Sequence, residues 1–244
     1  MLVSVIIPTL NEETDLPVAL EQLARQPDVE LLVVDGGSTD GTVAAAQEVT
    51  PYVFAIGPNR AAQMNLGARH ATGDVLLFLH ADTFLLPGAL DELKRQLIGN
   101  GAVGGAFDLQ IDTRSRLCRV VARTVSRWSR LTRQPRGDQG IFVWRQVFEL
   151  LGGFPVLPIC EDVAFARRLR RAGRLTFLRS GLVTSARRWH ANGVLKTALV
   201  NVWVTFLFAL RIPPRQLRRI HDGWLVTGKQ TGMKPVAVTP AGRD

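Results

Sequence analysis

A chain of 244 residues, 46% of them apolar, is long enough for one large α/β domain with its own core. Thirty Lys and Arg against 21 acidic residues leave a formal charge of +9, which calls for a polyanionic neighbour: nucleic acid, an anionic membrane surface or a phosphorylated substrate. Two cysteines, Cys118 and Cys160, exclude a disulfide framework and lack zinc-ligand spacing, so a reducing cytoplasm is expected.

The opening MLVSVIIP carries no basic segment ahead of its apolar run and predicts a strand over 2–7, closed by Pro8, rather than a secretory signal. A helix follows over 15–25, with Thr14 or Asp15 as its cap and Pro17 in its first turn. ELLVV at 30–34 reads as a second buried strand, ending in the turn-rich DGGSTDG before a helix over 42–49. A short strand at 53–56, a helix at 61–71 and a strand at 75–79 complete the first half. Strands buried on both faces and separated by helices predict a parallel sheet with right-handed crossovers, whose ligands sit at the carboxyl ends of the strands. Thr9, Asn11, Glu12, Asp35 and Asp82 all fall at such ends.

Beyond Asp82 the pattern predicts a helix at 88–98, a strand at 102–109, an arginine-rich segment at 114–136, a strand at 140–144 and a helix at 146–151. Another helix runs from Glu161 or Asp162 to 172. An amphipathic region covers 193–210, and a basic, proline-broken tail follows. The apolar stretch 198–210 is about 13 residues, short of the ~20 that a spanning helix needs.

Four constellations carry chemistry, each with a bland counterpart. In DGGSTDGT, Asp35 suits hydrogen bonding to a nucleobase or ribose; the counterpart is a glycine-rich turn with Ser38, Thr39 or Asp40 capping the next helix. In FLHAD, His80 and Asp82 suit Mg²⁺ or Mn²⁺ with phosphate oxygens completing the shell, against a simple turn before Pro87. Glu161-Asp162 suits a general base, although paired acids are favoured at any helix N-terminus. Arg187-Arg188-Trp189-His190 suits a pyrophosphate clamp with a stacking indole, against an ordinary surface arginine pair.

In this order the segments VSVIIPTLNEE, VVDGGSTDGT, GDVLLFLHAD and the ED pair near 160 resemble the family-two glycosyltransferases of the GT-A fold, over roughly residues 3–190. NRAAQMNLGA, FLHADT, GDQGIFV and TSARRW mark the resemblance more narrowly as one to a bacterial subgroup. It implies a Rossmann-like, mostly parallel sheet flanked by helices, with C-terminal amphipathic helices. The implied organisation is a domain at 1–192, with a nucleotide-binding half at about 1–100 and an acceptor half at 101–192, and a C-terminal extension at 193–244. It implies a nucleoside site at Pro8, Thr9, Asn11, Glu12, Asp35 and Arg60, a metal site at Asp82 with His80 and His190, and catalysis by Asp162 with Glu161 beside it. Asp138, Gln139, Arg187, Arg188 and Trp189 would meet the acceptor or the diphosphate. His80 stands where many relatives carry the first acid of an Asp-x-Asp pair. SARRW lacks the glutamine of processive members, so single-sugar transfer from a UDP- or GDP-sugar, with a divalent cation and inversion, is the expected reaction.

From Arg116 the arginines recur every three or four residues among Leu117, Val120, Val121, Val125, Trp128 and Leu131, the pattern of a basic amphipathic helix. With the apolar, arginine-flanked region after 193 it predicts a peripheral enzyme on the inner face of the cell membrane, with a lipid or lipid-phosphate acceptor. The second element equally suits packing on the core or a homodimer interface, and the helix a partly buried position with a solvated basic side. Most aromatics fall in apolar runs, which argues against a nucleic-acid partner. Rival readings are a sugar-nucleotide-binding protein without transferase activity and a nucleotidyltransferase; PTLNEETDLP lacks the glycine-rich basic loop the latter needs.

Overall fold

A computed structural model describes residues 1–179 and 181–225, with the backbone alone at Arg188, His190 and Ala191. The four apolar runs of the first half are β1 (Val3–Thr9), β2 (Val29–Asp35), β3 (Val53–Ala55) and β4 (Val75–Phe78). Between them run α1 (Leu16–Ala24), α2 (Thr42–Gln47) and α3 (Arg60–His70). Val3–Ile7 of β1 is buried on both faces, so the strand reads as an unbroken apolar run rather than an alternating one. Val3, Val5 and Ile7 face a layer with Leu16, Leu20, Leu93 and Leu97. Ile6 faces the other, with Met64, Phe78, Phe148 and Phe165.

These strands are parallel in the order β3-β2-β1-β4. The connections thus progress in opposite directions from the β1–β4 boundary, the switch point at which an open α/β sheet leaves a crevice outside its strand ends. The register sets Thr9 beside Asp35, and the Leu79 N–H donates to the Ile6 carbonyl, so the three strand ends form one edge.

The sheet continues as β4-β8-β6-β9, with β6 (Gly104–Phe107), β8 (Ile141–Trp144) and β9 (Leu175–Leu178). β8 runs antiparallel to both neighbours in a sheet that is otherwise parallel, in keeping with the mostly parallel sheet expected. Its reversal matters for the site. Ile141 pairs with Phe78, so the 3₁₀ turn Gly137–Gln139 just before β8 arrives at the carboxyl edge of β4. A second sheet, β5-β10-β7, is built from β5 (Thr83–Leu85), β7 (Ile111–Asp112) and β10 (Leu182–Ser185). Strands of two to four residues carry too few side chains for a periodicity, which is why these went unread in the sequence.

The remaining helices are α4 (Ala89–Asn100), α5 (Arg116–Thr132), α6 (Arg145–Leu150), α7 (Glu161–Ala172), α8 (Arg187–Asn192), α9 (Val194–Ala209) and α10 (Pro214–Trp224). Proline at 214 begins a helix instead of breaking the tail, because the first turn needs no N–H there. α9 and α10 seat Val200, Val204, Leu217 and Leu225 against Cys160 and Val163 at the start of α7. Residues 226–244 of the expected extension lie outside the described residues.

α5 departs from a helix that buries its large apolar residues. Its buried face is narrow and small, made of Cys118, Ala122, Ser126 and Ser129, while Leu117, Val120, Trp128 and Leu131 are exposed. α9 likewise buries Thr197, Val200 and Val204 and exposes Leu195, Leu199, Val202, Trp203 and Phe206. Among the described residues no helix is long and apolar enough to cross a membrane.

Close approach of β6 and β9 depends on Gly105, where a Cβ would fall 1.9 Å from the Thr176 carbonyl oxygen and 2.7 Å from the Phe142 ring. Gly105→Ala should therefore lower the unfolding free energy by about 3 kcal/mol, read as a shift in the urea midpoint at unchanged m-value.

Candidate active site

The site is built around α3, whose sequence NRAAQMNLG places polar groups on the face that meets the sheet. The Asn59 side chain caps the helix by accepting from the Ala62 N–H at 2.9 Å. Gln63, buried, donates to the carbonyls of Thr9 and Val34, both at 2.8 Å, and so ties together the carboxyl ends of β1 and β2. Asn65 exchanges two hydrogen bonds with the Phe154 backbone, at 2.8 and 2.9 Å. At Gly67 a Cβ would lie 2.5 Å from Ile6 Cγ2, so the helix packs directly on β1.

Held in this way, α3 aims Arg60 into the switch point. Its Nε donates to Glu161 Oε1 at 2.5 Å, a second guanidinium nitrogen joins the same carboxylate, and Nη1 lies 3.4 Å from His80 Nε2. Glu161 is only 3% exposed. Burial works against the Arg60 charge, but the attraction of Glu161, Asp162 and Asp138 outweighs it and holds the guanidinium more firmly protonated than usual.

Asp162 sits one residue on, at the start of α7. Its Oδ2 accepts from the Gly137 N–H at 2.8 Å and its Oδ1 from the Val163 N–H at 2.7 Å. Only reversed β8 makes the first of these bonds available. The room enclosed among Pro8, Arg60, His80, Gly137, Glu161 and Asp162 is about 10 Å³. Met64, Phe78, Leu79, Ile141 and Phe154 close its remaining sides, so the charged groups are packed against an apolar floor. The preceding Cys160 takes a left-handed backbone (φ 63°), and its thiol is pushed up to about 12, first by burial and then by the charges of Asp162 and Glu161. A thiol so disfavoured as an anion is no nucleophile.

At the ends of β1 and β2, Asp35 is buried and its carboxylate oxygens are hydrogen-bonded. Oδ2 accepts from the N–H groups of Gly37 (2.7 Å) and Ser38 (2.8 Å), and Oδ1 from the hydroxyls of Ser38 and Thr9 (3.3 Å). Those bonds occupy the roughly four acceptor positions of a carboxylate, so a base could reach it only by displacing the Ser38 hydroxyl. Asn11, in a left-handed conformation, accepts from the Thr39 N–H at 2.9 Å, and its own N–H donates to Ser38 Oγ at 2.8 Å. The Glu12 N–H donates to Thr42 Oγ1. The loops after β1 and β2 are thereby laced into one unit.

That unit is joined to the second sheet. Arg187 ion-pairs with Glu12 at 2.7 Å and Asp15 at 3.1 Å, and the hydrogen bond it donates to Glu12 leads in holding it more protonated than an ordinary guanidinium. Asp82 is buried between the sheets, its Oδ1 within 3.4–3.5 Å of the hydroxyls of Thr184 and Thr83. Among the described residues no group of three His, Cys, Asp or Glu side chains is placed to hold a metal ion. Asp82 is a lone carboxylate, a donor set that suits Mg²⁺ or Mn²⁺ only if diphosphate oxygens and water complete the shell.

Two residues expected at the acceptor are elsewhere. Gln139 is fully buried, its amide accepting from Ser129 Oγ (2.7 Å) and the Arg136 N–H (3.0 Å) and donating to the Phe107 carbonyl (3.2 Å). Trp189 packs into a cluster with Leu109, Ile111 and Cys118, leaving no face for a sugar. Asp138 lies in the turn beside the cluster, near enough for its charge to act on Arg60. The side chains of Arg188 and His190 lie outside the described residues. Conversely, Asp15, Gln63, Gly137 and Thr184 serve the site without having been singled out. Gln63 alone had a signal, three residues after Arg60 on one helix face.

A Rossmann-like sheet with acids gathered at its switch point defines a nucleotide-binding α/β protein. The chain belongs to Glycosyl transferase family 2, whose sequence profile matches residues 4–143. A PGL/p-HBAD biosynthesis glycosyltransferase of Mycobacterium tuberculosis is 43% identical over 91 residues, 34% of this chain and 36% of that protein. A polyprenol monophosphomannose synthase of Mycolicibacterium smegmatis is 35% identical over 138 residues, 51% of this chain and 48% of the relative. The chain thus spans between about a third and a half of these relatives' length. Among solved structures, a Pyrobaculum calidifontis mannosyltransferase in complex with GDP-Man and Mn²⁺ superposes with a TM-score of 0.61 at 21% identity, covering 90% of this chain and 68% of that one. S. aureus TarS 1-349 in complex with UDP-GlcNAc does so at 0.60 and 16%, covering 92% and 71%. These likenesses establish the GT-A fold.

Removing the Arg60 guanidinium strands a buried carboxylate. Arg60→Met should cost about 2–3 kcal/mol by chemical denaturation, below the 3–5 of a fully buried pair because Arg60 keeps part of its side chain in water. Arg60→Met with Glu161→Gln should recover at least half of the loss.

Proposed function

We propose that the chain transfers one sugar from a UDP- or GDP-sugar to an acceptor hydroxyl, with Asp162 as general base and inversion at the anomeric carbon. The observation that carries this reading is the division of labour between two adjacent acids. Glu161 is paired directly with Arg60, whereas among the described residues Asp162 accepts hydrogen bonds only from backbone N–H groups and has no direct ion-pair partner. Glu161 is then a positioning residue, not a second base. With one base and no matched nucleophile, the acceptor oxygen displaces the nucleotide directly. The donor lies along the carboxyl edge from the laced loops at Asn11 and Asp35 to the cluster at Arg60, with Pro8, Thr9 and Glu12 between them. The relatives' names and the nucleotide-sugars in the superposed structures favour this over nucleotidyl transfer or a sensor without activity.

A divalent cation fits Asp82 as a companion of the donor diphosphate, not as a resident ion. When bound, it supplies neutralisation of the charge left on the departing nucleotide. Arg187, once released from Glu12, is in position to meet the same phosphates.

The acceptor we propose is a lipid or lipid-phosphate at an anionic membrane surface, with the protein peripheral on the cytoplasmic face. Support comes from two neighbouring helices. α5 exposes Leu117, Val120, Trp128 and Leu131, α9 exposes Leu195, Leu199, Val202, Trp203 and Phe206, and arginines line the outer flank of α5. An apolar stripe edged by cations suits shallow insertion among anionic headgroups.

Asp162→Asn should lower transfer by about 10²–10⁴-fold in a donor-consumption assay. Donor affinity by calorimetry should stay within about twofold, since the amide keeps the shape of the site. Parallel loss of affinity and turnover would sink the assignment. In co-sedimentation, the protein should pellet with vesicles containing anionic lipid at low salt, not with neutral ones, and detach as salt rises.

A further inference from the structure

An open surface groove of about 620 Å³ lies away from the candidate active site, bounded by the C-terminal ends of α5 and α7 and by β9. Four guanidinium groups line it, those of Arg130, Arg133, Arg170 and Arg174, with the ring of Phe177 beside them. Gly173 lies eleven positions beyond Asp162, just past the end of α7, about 16 Å at 1.5 Å per residue, so this is not a lobe of the cluster around Arg60.

The arginines are differently employed. Arg130 pairs with Asp108 through two contacts of 2.9 Å and lies 5.8 Å from the centre of the Phe177 ring. Arg133 donates to the Gly173 carbonyl at 2.9 Å and Arg170 to the Thr132 carbonyl at 3.1 Å, so each of α5 and α7 has its last carbonyls held by an arginine from the other. These bonds fix the two forks in place without supplying a counter-charge beyond the partial one of a helix terminus, about half a unit each. The Arg174 side chain has no hydrogen-bond or ion-pair partner among the described residues, although its carbonyl accepts from the Val103 N–H. One carboxylate and two helix ends against four guanidinium groups leave a surplus of about two positive charges.

We infer that this groove binds a phosphate-bearing anion of charge near −2 or more, through Arg174 and the outward nitrogens of Arg170 and Arg133. Planar forks matched to phosphate oxygens, already oriented by the helix ends, are the arrangement such a ligand needs. Helix capping explains two of the arginines and Asp108 a third; the anion explains why a fourth converges on them. Its source is either a free phosphorylated metabolite or the headgroup of a membrane lipid, since α5 presents Trp128 and Leu131 next to the arginines on the same two turns.

The test is calorimetric titration of inorganic pyrophosphate, and separately of monomeric short-chain phosphatidic acid, at low salt without divalent cations. Wild type, Arg174→Gln, Arg170→Gln with Arg174→Gln, and Asp162→Asn are compared, with circular dichroism to verify folding. Arg174 is exposed and makes no side-chain bond, so its substitution leaves the fold in place. The expected result is a loss of affinity of at least tenfold in Arg174→Gln, a further loss in the double variant, and wild-type binding in Asp162→Asn. Binding of both probes identifies a general phosphate site, and binding of the lipid alone identifies the headgroup; either supports the inference if the arginine variants lose it. Wild type that binds neither probe, or arginine variants that bind as wild type does, would overturn it.

Discussion

The ion pair between Arg60 and Glu161 is the constraint on which the site rests. It joins the first residue of α3 to the first residue of α7, 101 positions apart in the chain, at the boundary between β1 and β4. A buried pair of this kind is weak evidence for stability, because desolvation consumes most of the attraction. Its value is positional. With Glu161 anchored, the next residue, Asp162, has one orientation, and the backbone of Gly137 completes it. The same guanidinium also comes within 3.4 Å of His80 Nε2.

The second consequence concerns the back of the site. α9 and α10 cover the start of α7 and bury Cys160, whose left-handed backbone delivers the two acids in sequence. Covering that point uses only one side of α9. The side left over is apolar and lies beside the exposed stripe of α5, so α9 both supports the start of α7 and shares an exposed apolar surface with α5. Basic charge is divided in the same economical way, between the flank of α5 and the ends of α5 and α7.

Much of the first half was legible because its strands are buried on both faces. Continuous runs such as VSVIIP and ELLVV, each closed by proline or glycine, read as strands whatever the tertiary structure does around them. Asp35, Asp82 and the ED pair were found by their places at element ends. The second half was harder. β5, β7, β9 and β10 are too short for a pattern, and the reversed direction of β8 has no local signature, since an antiparallel neighbour uses the same residues as a parallel one. Trp189 and Gln139 were misread for a related reason: an indole beside arginines and an amide beside an aspartate look like surface chemistry until burial is known.

What the sequence by itself determined is the class: an α/β sheet with acids at strand ends, in the order of a nucleotide-sugar transferase, because hydrophobic periodicity and motif order are properties of neighbouring residues. Tertiary structure alone decided how each of those acids is partnered. Glu161 is ion-paired with Arg60, Asp35 accepts from backbone N–H groups and hydroxyls, Asp162 accepts from backbone N–H groups and Asp82 lies between two hydroxyls. Each outcome depends on a partner far away in the chain, and electrostatic pairing acts across a few ångströms of space regardless of how many residues lie between.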